Sequence, residues 1–249
     1  MKSAVAKGTA RTRRAPGQEP VSLALLGAFE LSCGGRRVDL PMSAQRLLAF
    51  LALHDRPLMR VYVAGALWLD TPEDRAAANL RSSLWRLHQP GARLVDATNS
   101  QLKLAPDVTV DAHETAALAH RLLAGSREWD DLDVERVRLR GELLSDWYED
   151  WILIERERLR QLSLHALEIV GERLLEVGRL AGALEAALAA VTAEPLRESA
   201  HRLLIKVHIA EGNGGEAIRQ LESCRRLFAD QLGLAPSPLL EALVRDLTL

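Results

Sequence analysis

A chain of 249 residues with 48% hydrophobic and 27% charged side chains has room for one large domain or two moderate ones, each with a real core. Its two cysteines, Cys33 and Cys224, fit no disulfide framework or metal-ligand spacing, and no window supplies the roughly 18 consecutive apolar residues of a membrane span, so a cytosolic, reducing setting is expected. The net charge of −2 hides a gradient, +4 over residues 1–20, +2 over 21–110 and −8 over 111–249, which suits a nucleic-acid binder joined to a separate protein-interaction module.

Residues 1–20, MKSAVAKGTARTRRAPGQEP, are basic but lack an apolar h-region. They read as a flexible tail, with Arg11, Arg13 and Arg14 either idle or adding salt-dependent, sequence-blind affinity for a polyanion. From Val21 to Leu40 short apolar runs alternate with turn signals. Gly34-Gly35 permits the positive φ angles of a two-residue hairpin, which predicts short antiparallel strands ahead of every helix. Ser43 is the expected N-cap of a first helix running to Leu53, before His54-Asp55-Arg56-Pro57 breaks it. Arg60 to Leu69 is ambiguous, because Val61, Tyr62, Val63 and Gly65 favour strand on propensity. The Val63/Leu67 spacing, and its place between two helices, predict a helix.

Thr71-Pro72-Glu73-Asp74 reads as a helix start, with Thr71 as N-cap, Pro72 at the first helical position and two acids facing the positive dipole end. That helix runs to His88 and stops at Pro90-Gly91. Leu80, Leu84 and Leu87 fall on one side, and Arg75, Asn79, Ser82 and Arg86 on the other, with Arg81 and Trp85 on the flank. Two β-prone runs follow, Arg93–Ala97 and Gln101–Ala105, around Thr98, Asn99 and Ser100. Strands, three helices and a closing hairpin thus occupy residues 21–110.

Asp111-Ala112-His113-Glu114 resembles a capping box, and residues 111–249 read as almost wholly helical. Within them Ala166/Ala200, Gly178/Gly212, Ala183/Ala217 and Leu184/Ile218 repeat at a constant spacing of 34, the period of tetratricopeptide helix pairs. Separate flanking helices are expected at Glu149–Arg160 and Ser237–Leu247. Enzyme readings find no support. Gly212-Asn213-Gly214-Gly215 lacks the Lys-Ser/Thr of a phosphate loop, and His113/His120 and His201/His208 are isolated from other metal ligands. The arginines Arg156, Arg158 and Arg160 beside Glu155 and Glu157 read as helix-surface pairing. No cofactor or metal is expected.

Strands, three helices and a hairpin are the layout of the winged helix-turn-helix, whose third helix enters the DNA major groove while the wing lies on the backbone. In order and spacing, SAQRLLAFLAL, ALWLDTPEDRAAANLRSSLWRL, GELLSDWYEDWILIERERLRQLSLHAL and AEPLRESAHRLLIKVHIAEGNGGEAIRQLESCRRLFADQLGLAPSPLL resemble the Streptomyces antibiotic regulatory protein (SARP) family with its bacterial transcriptional activation domain. The likeness covers about residues 21–247. It implies a mainly α protein with a small β component, an N-terminal winged domain followed by a tetratricopeptide-like helical domain. It also implies an activator that binds repeats in double-stranded promoter DNA, often as a homodimer, helps recruit RNA polymerase holoenzyme, and controls a biosynthetic or secondary-metabolite cluster from the nucleoid. Larger relatives add a nucleotide-binding ATPase module, without which this chain is expected to act. Two departures stand out: Leu87 is followed by His88, Gln89 and Pro90 where further arginines are usual, and Arg60 stands where Ser or Thr commonly caps the second helix.

On this reading the base-facing candidates are Arg75, Asn79, Arg81, Ser82 and Arg86, since Arg pairs bidentately with guanine and Asn with adenine. Trp85 is expected to pack on the wing or the neighbouring domain in preference to thymine methyls. Asn99, Gln101 and Lys103 in the wing, and Ser43, Gln45 and Arg46 at the first helix, are candidates for backbone contacts. The rival from another class is a tetratricopeptide-type adaptor whose winged domain docks protein instead of DNA.

Overall fold

The computed structural model describes residues 20–54, 56–88, 90–125 and 141–245. The proposed basic tail and the end of the predicted last helix lie outside the described residues. The chain divides into two compact units at the Asp111–Ala112 bond.

The first unit opens with the strands β1 (Val21–Ala24), β2 (Glu30–Cys33) and β3 (Arg36–Val38), paired antiparallel in sequence order. Gly34 and Gly35 turn the β2–β3 corner with φ of 59° and 78°. Both angles are open to glycine and costly for residues with a Cβ, as a two-residue hairpin requires. A late strand, β7 (Val108–Val110), adds to the sheet in parallel against β1, giving the order β3-β2-β1-β7. Nothing local announces that pairing.

Helix α1 (Met42–His54) starts one residue before Ser43. The Pro41 carbonyl accepts the first N–H bonds, from Ala44 and Gln45, so Ser43 sits inside the first turn and is not the N-cap. Likewise α3 (Glu73–His88) begins on the Pro72 carbonyl, which accepts from Arg75 and Ala76. Pro72 is therefore the cap position and Thr71 lies outside it. Between them α2 (Arg60–Leu67) is helical despite its β-branched residues. Val63 and Leu67 are almost fully buried, worth roughly 1.5–3 kcal/mol each. The propensity deficits of Val, Tyr and Gly cost about 0.5–1 kcal/mol each, so packing decides. Strand β4 (Leu58–Met59) leads into α2 and pairs with β6 (Gln101–Leu104), which pairs in turn with β5 (Val95–Ala97). The wing is thus the outer part of a three-stranded sheet, β4-β6-β5.

Helix α4 (Asp111–Leu123) starts at Asp111 itself. The Asp111 carboxylate reaches back across the sheet, accepting the Leu25 N–H at 2.8 Å and the Leu26 N–H at 3.1 Å. It fastens the end of β1 beside β7.

In the second unit α5 (Asp150–Glu176) is one continuous helix of 27 residues, which merges the expected flanking helix with the first repeat. After it come α6 (Leu180–Ala193), α7 (Glu198–Ala210), α8 (Gly214–Leu232) and the short α9 (Pro238–Ala242). The repeat is visible in the hydrogen bonds. Gly178 donates to Leu175 and Arg179 to Leu174; 34 positions on, Gly212 donates to Ile209 and Asn213 to His208. Both glycines have φ near 75°, the left-handed residue that ends a helix and satisfies its last carbonyls. Ala166, Ala183, Ala200 and Ala217 are fully buried where helices meet. Equivalent positions of successive repeats also touch, as in the Lys206–Glu172 ion pair at 2.8 Å and the Arg160–Glu194 pair. His201 is buried between the Pro195 carbonyl and Gln220, with Phe228 edge-on. Cys224 is buried in the α7–α9 core, and burial, with Glu198 adding to it, pushes its thiol up to about 11.

One of the surface arginines departs from expectation. Arg158 and Arg160 do pair with Glu155 and Glu157. Arg156 instead turns inward and donates to the carbonyls of Leu143, Leu144 and Trp147, bracing a left-handed Leu144 at φ 46°.

Two predictions follow from these contacts. Asp111→Ala leaves two backbone N–H groups without their acceptor and should lower the first unit's stability by about 1–3 kcal/mol in urea unfolding; an unchanged midpoint would show that water replaces the carboxylate at no cost. Burial raises the pKa of Glu168, but hydrogen bonds from Arg197 and Ser199 outweigh it and hold the carboxyl below its ordinary value. A depressed folded pKa contributes stability above the unfolded pKa and loses it as pH falls through the folded value. The helical unit should therefore soften below about pH 4.5, the ordinary glutamate value. Glu168→Gln, compared by urea titration at pH 7 and below pH 4, should be less stable at pH 7 and closer to wild type in acid.

Candidate nucleic-acid interface

Helix α3 presents two faces because one apolar stripe is buried. Ala76, Leu80, Leu84 and Leu87 are buried with Ser83, and α3 packs on α1 and α2. The opposite face carries Arg75, Arg81, Ser82, Trp85 and Arg86, all exposed, with Asn79 half-buried at its edge. At 1.5 Å per residue the 16 residues span roughly 24 Å, and the helix with its side chains suits a groove about 12 Å wide.

At about 100° per residue the exposed set splits into two flanks. Arg75, Asn79, Ser82 and Arg86 lie along one, Arg81 along the other, and Trp85 on the crest between them. The indole is 65% exposed. The Arg81 flank looks into a groove of about 520 Å³ between α2, α3 and the wing tip, lined among others by Arg60, Val61, Trp68, Leu69 and Asn99.

What marks α3 is that several unpaired cations share its exposed face. Among the described residues no carboxylate pairs with Arg75, Arg81 or Arg86. Elsewhere Arg93 pairs with Asp96, Arg197 with Glu168, Arg219 with Glu216 and Arg225 with Glu241, while the other unpaired arginines of the described residues, such as Arg36 and Arg202, are scattered over separate elements. Three cations unneutralised on one helix face attract an anionic partner with only the exposed Glu73 and Asp74 of the first turn opposing.

In the wing, β5 and β6 pair as expected, Val95 opposite Leu104 and Ala97 opposite Leu102. Thr98 closes the turn, its N–H donating to the Gln101 carbonyl at 2.9 Å and its Oγ1 accepting the Gln101 N–H at 3.0 Å. Asn99 and Gln101 project from the tip and are exposed, while Lys103 is half-buried on the inner strand. Two of the first-helix candidates, Gln45 and Arg46, hydrogen-bond within the fold. Gln45 donates to the Leu40 carbonyl at 2.7 Å and Arg46 to the Leu67 carbonyl at 2.9 Å, where it holds the C-terminal end of α2; Ser43 is half-buried. Arg60, passed over as a candidate, lines the groove beside Arg81. Its position at the head of a helix, with no side-chain cap available from Met59, was the one signal. Among the described residues no group of three metal-ligating side chains converges, and no helix is long and apolar enough to cross a membrane.

The fold has solved and curated counterparts. The structure titled Mycobacterium tuberculosis EmbR in complex with low affinity phosphopeptide matches with a TM-score of 0.74 at 23% identity, over 93% of this chain and 65% of that one. It shows the same architecture, a winged helix-turn-helix followed by helical repeats. Regulatory protein AfsR of Streptomyces coelicolor is 28% identical over 216 residues, and that of Streptomyces griseus 27%. These alignments take in 82% and 80% of this chain but 21% of either relative, so the chain spans about a fifth of their length. Residues 108–248 match the bacterial transcriptional activator domain. The family is regulatory and not enzymatic, and the chain belongs to it: the bacterial transcriptional activator domain family, that of the SARP-type regulators its sequence resembles.

Proposed function

We propose that residues 20–111 bind double-stranded promoter DNA, with α3 in the major groove and the β5–β6 wing along the adjacent backbone. The helical unit that follows is proposed to supply contacts to a second copy of the chain and to RNA polymerase holoenzyme, through its sigma factor or core subunits, so that the bound protein activates a biosynthetic or secondary-metabolite cluster in the nucleoid. The observation that carries this reading is the set of unpaired arginines on the exposed face of α3.

Roles follow from chemistry. Arg81 and Arg86 are assigned to base edges, because a guanidinium can bond guanine N7 and O6 together, and Asn79 to adenine or to an adjacent phosphate. Ser82 and Arg75 serve bases or phosphates from the same flank. Trp85, exposed on the crest, is assigned apolar contact with thymine methyls or sugar. Asn99, Gln101 and Lys103 are assigned to the phosphate backbone. Gln45 and Arg46 are left out of the interface, since their hydrogen bonds serve the fold.

Fluorescence anisotropy with duplexes selected from a random pool by the wild-type protein tests the assignment. Arg81→Ala and Arg86→Ala should each weaken specific binding by about 5- to 150-fold and relax preference at one position. Lys103→Ala should weaken all sequences alike and reduce the salt slope by about one. Specific binding untouched by either arginine change would overturn the site, and absence of any selected duplex would favour the adaptor reading, for which Trp85 is the natural docking residue.

A further inference from the structure

We infer that Arg60 is a positioning residue that sets the spacing between the wing and α3, and so keeps both in register with neighbouring grooves of one duplex; this rests on the DNA reading above. Arg60 is the first residue of α2 and touches the wing turn twice. Its backbone N–H donates to the Ser100 carbonyl at 2.9 Å, and its side-chain Nε donates to the Thr98 carbonyl at 2.9 Å. The preceding residue, Met59, pairs with Gln101 across β4 and β6, and its sulfur accepts from Gln101 Nε2 at 3.9 Å. Residues 98–101 are therefore tied to the start of α2, and α2 is packed on α3.

A hairpin tip held only by its own turn swings about its base. Here the β4–β6 pairing and the Arg60 backbone bond hold one side of the tip, and the guanidinium adds a second fastening, to Thr98, from a helix whose Val63 and Leu67 are buried. A serine at position 60 would keep the backbone bond to Ser100 and lose the one to Thr98. Arg60 also lines the groove that holds Arg81 and Asn99, so the fastening lies beside the proposed interface and not behind it.

The test uses the full chain, wild type and Arg60→Ser, with two duplexes: one covering the α3 site and the minor groove on its wing side, the other cut off before that groove. Arg60→Ser should bind the longer duplex about fivefold more weakly and the shorter one nearly as well as wild type, the loss expected of about one hydrogen bond. Amide exchange of Thr98 and Gln101 should rise several-fold in the free protein. Equal weakening on both duplexes with unchanged exchange would mean simple loss of charge and would overturn the inference. If the wild type binds neither duplex, the DNA reading fails; the exchange arm then still reports on the fastening itself, which stands if exchange rises and falls if it does not.

Discussion

The first unit depends on one constraint, the burial of a single stripe of α3. Leu80, Leu84 and Leu87 each contribute roughly 1.5–3 kcal/mol by leaving water, and α3 lies on α1 and α2 because that is where the stripe finds cover. Everything outward follows from this. With the apolar side fixed, the arginines have nowhere to go but solvent, and the helix cannot roll to bury them without exposing three leucines. A reading surface needs such rigidity, because bidentate contacts to base edges tolerate little misplacement.

The second unit is organised by translation instead of by a central stripe. Its helix ends repeat in glycine conformation and in hydrogen-bond partners, and two of its ion pairs, Lys206–Glu172 and Arg160–Glu194, join equivalent positions one repeat apart. Stability in such a stack comes from intrinsic repeat terms and neighbouring interfaces. The long α5 is shared between these levels, since its N-terminal turns serve the bracing by Arg156 and its C-terminal turns serve the first repeat.

Much of this was legible in the residues. The 34-residue period needed only glycines and alanines to be seen, because each occupies a place where a larger side chain or a negative φ would not fit. The wing declared itself through Thr98, Asn99 and Ser100, and α2 through Val63 and Leu67. The β1–β7 pair was not legible, because two short strands far apart in sequence carry no mutual signal. Ser43 and Thr71 misled because a good capping residue signals a nearby helix start without fixing which carbonyl begins it. Gln45, Arg46 and Arg156 are long polar side chains whose partners are main-chain carbonyls, and a carbonyl has no identity in the sequence. Of the interface, the α3 face was readable from periodicity alone. The exposure of Trp85 and the tie from Arg60 to the wing required the fold.

Both cysteines are buried and neither forms a disulfide, and burial pushes the Cys224 thiol up to about 11. Oxidation and disulfide exchange proceed through the thiolate, which at neutral pH makes up on the order of one part in 10,000 at a group with such a pKa. With the side chain fully buried as well, Cys224 is a poor target for peroxide or glutathione while the stack stays closed. Whatever information this regulator responds to, a redox signal written on that sulfur is not part of it unless the helical stack first opens.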